Sequence, residues 1–264
     1  MDNIEVAWWS GGITSAVACY LAVKKNPDVR IVYIGILDAH SDNARFKVEC
    51  EKWYGKEIEV IQSKKYLSVS EVIQDTGFVN SAYGAACTTE LKKQVRIDYE
   101  RKNNITAQYF GFEFEKSQIN RAVRFYDKYA EINPIFILIE NKLTKNECAG
   151  MVINAGIELP VMYKLGYNNN NCIGCVKGGK GYWNKIRKDF PDVFKQRAED
   201  ERVAGHSCIK GIFLDELSPK AGKNKIGVIP ECGAFCQSEF SDVYDKRTDL
   251  ILQGALNIGQ LKLF

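Results

Sequence analysis

The sequence predicts an α/β protein with a doubly wound, mostly parallel sheet and a C-terminal metal-bearing region. Three observations support this fold class. Short apolar runs alternate with helical segments along the first half of the chain, a Ser-Gly-Gly turn joins the first run to the first helix, and a close cysteine pair lies in each of two later segments. With 264 residues, 45% of them hydrophobic, the chain is long enough to bury a substantial core.

The first elements predict a β-α-β unit. Residues 4–9 are a short apolar run, 13–23 an Ala-rich helical segment, and 29–38 a nearly continuous β-branched run, which is typical of a strand buried on both faces. The alternation continues with a predicted helix at 42–54, a strand at 57–62, a helix at 89–103 and a strand at 105–111. Such alternation indicates a parallel sheet with helices on both faces.

The character of the sequence changes near the middle. The run IFILIE predicts another strand, and the segment TKNE is a capping-box pattern that predicts a helix with Cys148 in the core. The stretch Asn168–Asn171 predicts a polar turn before CIGCVKGGKG. We therefore divide the chain into residues 1–140 and 141–264, and expect the two parts to pack as one unit because no linker separates them.

Charge and hydropathy exclude few classes of protein. The formal net charge of +3 is too small to predict nucleic acid or an acidic membrane as a partner. The apolar runs fall short of the roughly 20 residues of a membrane helix, and the start lacks the pattern of a secretory signal, so we expect a cytoplasmic protein without a membrane partner. From Lys164 to Lys188, however, six residues are basic and none is acidic, which keeps nucleic acid open as a partner.

The segment SGGITS, at positions 10–15, predicts a phosphate site between the first strand and the first helix. Its glycines let backbone amides approach an anion, the helix N-terminus adds unpaired N–H groups, and Ser10, Thr14 and Ser15 offer hydroxyls. The segment is neither a Walker loop nor the dinucleotide motif GxGxxG. A plain Ser-Gly turn is the alternative interpretation.

SGGITS resembles the SGGxxS loop of the PP-loop superfamily, whose members bind ATP or an adenylyl sulfate. The likeness is nearest to the phosphoadenylyl-sulfate (PAPS) reductase family, particularly the small PAPS-reductase-like proteins of bacteria and phages, and runs over most of residues 4–205. Four further segments match this family, namely HSDNARFKVECEKWYG, GAACTTELKKQV, YFGFEFEKSQINRA and NNNCIGCVKGGKGYWNKIRKDFPDVF.

This resemblance implies an adenine nucleotide alpha hydrolase-like fold, with residues 1–140 as the PP-loop nucleotide-binding domain and 141–264 as a helical, cysteine-bearing region packed on it. The ligand would be ATP or an adenylyl nucleotide with Mg²⁺. Asp38, which ends the second predicted strand, would lie near the adenosine or, alternatively, cap the following turn. The phosphates would contact Ser10, Gly11, Gly12, Ile13, Thr14 and Ser15.

Three residues are candidates for catalysis. Cys87 stands at the predicted start of a helix, near Lys92 and Lys93, and both features would favour its thiolate. A comparable loop holds substrate phosphates in the family, which implies that role for Lys92 or Lys93. Arg121, three positions before Arg124, is the better candidate for a phosphate or sulfate clamp. The alternatives are a small buried cysteine and surface ion pairs.

The cysteines predict a metal site. Cys172 and Cys175 form one close pair and Cys232 and Cys236 another, and four thiolates hold either zinc or a [4Fe-4S] cluster. A competing set follows from the resemblance to adenylyl-sulfate reductases, which carry adjacent cysteines before a CxxC. Because Ala86 replaces one of them here, Cys87, Cys172 and Cys175 would hold a cluster with one open iron. Cys208 is either a further ligand or part of an apolar strand, CIKGIFL.

These residues predict an enzyme that cleaves its nucleotide at the α-phosphate for sulfur transfer or adenylation. Lys92 and Arg121 would stabilise the transition state, and Cys87 or the cluster would carry sulfur. One alternative is reduction of PAPS or APS to sulfite, with Cys232 as nucleophile and thioredoxin as reductant. Another is a non-catalytic nucleotide-binding adaptor with a zinc knuckle. A sulfur-carrier protein as partner and a homodimer are left open.

Overall fold

The computed structural model describes residues 3–81, 84–222 and 244–263. The strands are, in chain order, β1 (Asn3–Trp9), β2 (Arg30–Ile34), β3 (Ile58–Ile61), β4 (Asn80–Ser81), β5 (Gly84–Ala85), β6 (Asn104–Tyr109) and β7 (Pro134–Ile135). The helices are α1 (Ile13–Lys25), α2 (Asn43–Tyr54), α3 (Val69–Thr76), α4 (Ala86–Thr88), α5 (Gln94–Lys102), α6 (Lys116–Lys128), α7 (Ile137–Glu140), α8 (Lys145–Asn154), α9 (Val161–Lys164), α10 (Lys180–Asp189), α11 (Pro191–Ala204) and α12 (Arg247–Leu252).

Five strands form one parallel sheet in the order β3-β2-β1-β6-β7. The chain builds outward from β1 on one side and then crosses to the other side for β6 and β7, so the sheet has a switch point next to β1. Carboxyl ends of strands at such a point leave a crevice in which α/β proteins bind ligands. The predicted α/β fold class is confirmed.

Alternate residues of β1 face two different cores. Val6 and Trp8 pack on one face of the sheet with residues of α5, α6 and α12. Ala7 and Trp9 pack on the other with residues of α1, α2 and α8. Burial on both faces accounts for the continuous apolar character of the strand in the sequence.

A third apolar cluster joins the two halves of the chain. It combines Val72 and Ile73 of α3 with Trp183 and Ile186 of α10, all of them at most 1% exposed. The predicted capping box is present where α8 begins, and Cys148 is fully buried, as predicted. None of the helices in the described ranges is long and apolar enough to cross a membrane.

Two predicted strands are wrong. In IFILIE, only Ile135 is in a strand, as the second residue of β7, and Ile137–Glu140 forms α7. The helical turn places Phe136 in one core and both Ile137 and Leu138 in the other, whereas a strand would send these two neighbours to opposite faces. In CIKGIFL, the chain makes a single bridge between Ile209 and Ile212, because Gly211 (φ +77°) reverses its direction.

Candidate functional site

The loop between β1 and α1 is built for close approach of a ligand to the backbone. Gly11 has a φ of +83°, and a Cβ there would lie 3.0 Å from Asn43 Nδ2. Gly12 is the N-cap of α1 and offers no side chain to cap the helix, whose first turn has no acidic residue. The Ile13 amide donates to the Tyr163 hydroxyl at 3.3 Å. An anion is therefore favoured at this helix end.

Serine hydroxyls hold the loop in shape. The backbone amide and the hydroxyl of Ser10 both donate to Ser15 Oγ at 3.0 Å. Ser15 Oγ in turn donates to the Gly12 carbonyl at 2.8 Å. Because these bonds close a ring over the two glycines, the loop is preorganised before any ligand binds.

A cavity opens above this loop at the carboxyl ends of β1, β2 and β6. It brings together residues that were predicted separately from the sequence, namely Ser10, Gly12, Ser15, Lys92, Arg121 and Cys172. Its apolar walls are aromatic, from Trp8, Trp9, Tyr33, Phe110 and Phe112. Gly11, Ile13 and Thr14 do not line it, and the latter two are buried beneath the loop.

Two cations reach this cavity from different helices. Lys92 lies in a π-helical turn, Thr89–Lys93, between α4 and α5. Arg121 of α6 is 4% exposed, and its guanidinium carbon lies 4.2 Å from the centre of the Phe112 ring. Burial raises the pKa of Tyr33, and the positive charge of Lys92 acts in the opposite direction.

An adjoining cavity holds three thiols. Cys87, Cys172 and Cys175 line it together with Lys92 and Lys177. Cys172 and Lys92 line both this cavity and the one above the loop, whereas Cys87 lines only the thiol cavity. Cys172 is therefore the thiol on the wall between the two cavities.

The described residues do not form a metal site by themselves. Within residues 3–81, 84–222 and 244–263, no group of three or more His, Cys, Asp or Glu side chains is arranged to hold a metal ion. Cys232 and Cys236 lie outside the described residues. Zinc or a [4Fe-4S] cluster on the four predicted thiols thus stays a prediction.

Asp38 is not brought to the cavity. Its Oδ1 accepts a hydrogen bond from Arg197 at 3.0 Å, and its Oδ2 accepts one from the Val69 amide at 2.8 Å. Arg197, 2% exposed, also pairs with Asp200 at 2.9 Å. The carboxylate thus ties the loop after β2 to α3 and α11, which corresponds to the capping alternative for this residue.

The predicted basic segment around the first cysteine pair is partly neutralised. Lys164 pairs with Glu158, and Lys185 pairs with Asp189 at 2.7 Å. Arg187 is turned inward and donates to the carbonyls of Leu214 and Leu217. The chain within this segment lacks acids, but residues just outside it supply them.

Sequence reasoning missed the role of the asparagine run. Asn169 and Asn170 are only 9% and 7% exposed, and Asn170 lines the cavity above the loop. Its Nδ2 donates to the Gly11 carbonyl at 2.8 Å and to Asn43 Oδ1 at 2.6 Å. The available signal was the position of four asparagines immediately before a CxxC.

Comparison with known proteins identified a family and similar solved structures. The family described as phosphoadenosine phosphosulfate reductase domain matches residues 5–178. No curated protein sequence matches the chain. Among solved structures, U34-tRNA thiolase NcsA from Methanococcus maripaludis with its [4Fe-4S] cluster is similar over 78% of this chain and 72% of that chain, at 14% identity and a TM-score of 0.39.

Proposed function

The chain belongs to the phosphoadenosine phosphosulfate reductase domain family, and from this premise we propose that it binds ATP or a related adenylyl nucleotide and cleaves it at the α-phosphate. One observation carries the proposal. The Ser10–Ser15 loop, two cationic side chains and a thiol line a single cavity at the carboxyl edge of the sheet. Phosphate binding, charge neutralisation and a nucleophile are therefore available side by side.

The loop would hold the β- and γ-phosphates. The N-terminus of α1 supplies backbone N–H groups and a partial positive charge, and its first turn has no carboxylate to repel an anion. The Ser10 hydroxyl would donate to a phosphate oxygen in place of Ser15 Oγ, while the bonds from the Ser10 amide to Ser15 Oγ and from Ser15 Oγ to the Gly12 carbonyl keep the loop in shape. The magnesium ion that accompanies ATP would neutralise part of the phosphate charge.

Lys92 and Arg121 would act on the reacting phosphate. Attack of an acceptor oxygen on the α-phosphorus breaks the bond to the bridging oxygen, and pyrophosphate leaves with the bonding electrons. Negative charge grows on the pyrophosphate and on the α-phosphoryl oxygens. Two cations in a cavity with aromatic walls stabilise such charge more strongly than they would in water.

In the sulfur-transfer form of the reaction, Cys172 would carry the sulfur. The terminal sulfur of a persulfide on Cys172, formed by an external sulfur donor, attacks the adenylated carbon, the carbon–oxygen bond breaks and AMP leaves. Cys87 or Cys175 then breaks the remaining sulfur–sulfur bond, which releases the thiolated product and leaves a disulfide for an external thiol to reduce. The shared thiol cavity supports this assignment of roles.

Product analysis tests the proposal. We would incubate the anaerobically purified protein with ATP, a sulfur donor and candidate acceptors, either total RNA or a small sulfur-carrier protein, and separate the nucleotides by chromatography. AMP and pyrophosphate in equal amounts are expected. Formation of ADP and phosphate alone would rule out cleavage at the α-phosphate. Tight nucleotide binding without turnover would favour the alternative of a non-catalytic adaptor protein.

Two further measurements address the alternatives. Release of sulfite from PAPS or APS with thioredoxin would favour reduction, and its persistence in Cys232→Ser would exclude Cys232 as the nucleophile. The metal content of the purified protein tests the alternative in which Cys172, Cys175, Cys232 and Cys236 hold structural zinc or an iron–sulfur cluster. Metal bound to these thiols would exclude Cys172 as the sulfur carrier.

A further inference from the structure

Asn170 presents a polar atom that the described protein does not satisfy. The residue is 7% exposed and lines the cavity above the phosphate loop. Both hydrogens of its side-chain amide are used, one on the Gly11 carbonyl and one on Asn43 Oδ1. Its Oδ1, in contrast, is buried and has no hydrogen-bond partner among the described residues.

The orientation of this amide is fixed by its neighbours. If the side chain were rotated to exchange Oδ1 and Nδ2, an oxygen would face the Gly11 carbonyl, and two acceptors would oppose each other. The Gly11 carbonyl has no proton to offer in either arrangement. Oδ1 is therefore the atom left over, and a buried acceptor without a donor destabilises the protein until a ligand supplies one.

We propose that Asn170 is a nucleotide-binding residue whose Oδ1 accepts a hydrogen bond from an O–H group of the bound nucleotide complex. Phosphate oxygens carry no proton at neutral pH, so they cannot be its partner. The O–H donors that a nucleotide complex brings are the sugar hydroxyls and the water molecules held by its magnesium ion. This role rests on the nucleotide binding proposed above.

The same side chain links the nucleotide to the thiols. Asn170 lies two positions before Cys172, and its amide is bonded to Gly11 in the phosphate loop. A ligand that bonds Oδ1 thus completes the hydrogen bonding of the segment that leads into the thiol cavity. Asn170 selects nucleotides by a donor group, whereas the loop itself recognises the acceptor oxygens of the phosphates.

The experiment is a set of binding titrations with defined ligands. Dissociation constants are measured by calorimetry for ATP, 2′-deoxy-ATP and 3′-deoxy-ATP, each with and without Mg²⁺, on the wild-type chain and on Asn170→Ala. In the wild type, removal of the donor that meets Oδ1 weakens binding about tenfold, the value of one hydrogen bond of about 1.4 kcal/mol. In Asn170→Ala, removal of that same donor weakens binding about tenfold less than it does in the wild type.

Weaker binding of 2′-deoxy-ATP or 3′-deoxy-ATP identifies a sugar hydroxyl as the donor. Weaker binding without Mg²⁺ identifies a metal-bound water. Asn169→Ala is the matched control, because Asn169 is equally buried but its Oδ1 accepts from Lys145 instead. In this variant the tenfold difference between ligands persists. Asn170→Ser serves as a second variant if Asn170→Ala does not fold.

Equal effects of donor removal in the wild type and in Asn170→Ala would overturn the assignment. Equal affinity of the wild type for every ligand, with and without Mg²⁺, would overturn it without any variant. If the wild type binds no ATP at all, the proposed function fails as well, so the two failures are distinguishable.

Discussion

Gly111 lies directly against Ser15. A Cβ on Gly111 would be 2.7 Å from the backbone nitrogen of Ser15 and 2.8 Å from its Cα, closer than side-chain carbons approach a backbone. The segment after β6 is thus pressed against the first turn of α1, which carries the phosphate loop. Glycine is needed here for close approach, and the sequence signal is its place at the end of a predicted strand.

Gly111→Ala is expected to displace the first turn of α1. The clash with backbone atoms should lower the free energy of unfolding by about 1–3 kcal/mol and weaken ATP binding at least about tenfold. Urea denaturation and calorimetry measure the two effects. Gly150→Ala in α8 is the matched control, because no atom lies within 4 Å of its Cβ position. In this control the free energy of unfolding should rise by up to about 1 kcal/mol, and ATP binding should be normal. Normal ATP binding by Gly111→Ala would contradict the packing argument.

The two adjacent lysines should differ in their effect on catalysis. Lys92 lines the cavity and Lys93 does not. Lys92→Met is therefore expected to reduce the rate of AMP formation about 10²–10³-fold, as for loss of one group that stabilises transition-state charge. Lys93→Met should stay within about twofold of the wild type. Kinetics of AMP release check this, and equal losses in both variants would count against a direct role of Lys92.

The rate of cysteine alkylation should show which thiols face the cavities. Cys172 and Cys87 are partly exposed, whereas Cys19 and Cys50 are fully buried. Burial raises the pKa of the Cys50 thiol to about 11 and also raises that of Cys19, so little reactive thiolate forms at pH 7.5. Mass spectrometry after iodoacetamide treatment should find Cys172 and Cys87 modified before Cys19 and Cys50. ATP should protect Cys172 more than Cys87; equal rates with and without ATP would argue against a nucleotide next to Cys172.

Asp42 should make stability depend on pH. Arg45 donates to both of its carboxylate oxygens, at 2.7 and 2.9 Å, and the Val161 amide donates to Oδ2 at 2.9 Å. These hydrogen bonds, chiefly those from Arg45, lower the pKa of Asp42. A lowered folded-state pKa stabilises the fold above the unfolded value of about 3.9, and this contribution is lost as the pH falls through the folded pKa.

Asp42→Asn is therefore expected to lower the free energy of unfolding by about 1.5–3 kcal/mol at pH 7, and by progressively less as the pH falls below about 4. Urea denaturation over a pH series measures the difference from the wild type. Asp28→Asn is the control, because Asp28 is exposed, and it should change stability by less than about 0.5 kcal/mol. A cost for Asp42→Asn that does not decrease at low pH would contradict this assignment.

The sequence predicts the sheet well because alternation of apolar and helical segments is local. Residues 29–38 were predicted as a strand, and Arg30–Ile34 forms its regular part. The predicted strand in IFILIE failed because Phe136 and Ile139 share one core while Ile137 and Leu138 share the other. This is the spacing of a helical turn and not of a strand, and a run of apolar residues alone does not distinguish the two. Asp38 likewise pairs with Arg197, a partner far along the chain.

In the candidate site, too, local motifs could be predicted from the sequence and long-range contacts could not. The phosphate loop is a contiguous motif, so its residues could be named in advance. From the sequence alone, Asn170 is predicted as a solvated turn residue, but the fold brings its side chain to Gly11. Cys87 is predicted to face the nucleotide, but Cys172 lies on the wall between the thiol cavity and the cavity above the loop. Such long-range contacts are set by packing rather than by local composition.

The most direct test of the nucleotide site is a crystal structure of the chain with α,β-methylene-ATP and Mg²⁺, since this analogue cannot be cleaved at the α-phosphate. We expect its β- and γ-phosphates on the Ser10–Ser15 loop and its α-phosphate facing Lys92 and Arg121. A nucleotide bound elsewhere, or an empty loop at saturating analogue, would contradict the central claim.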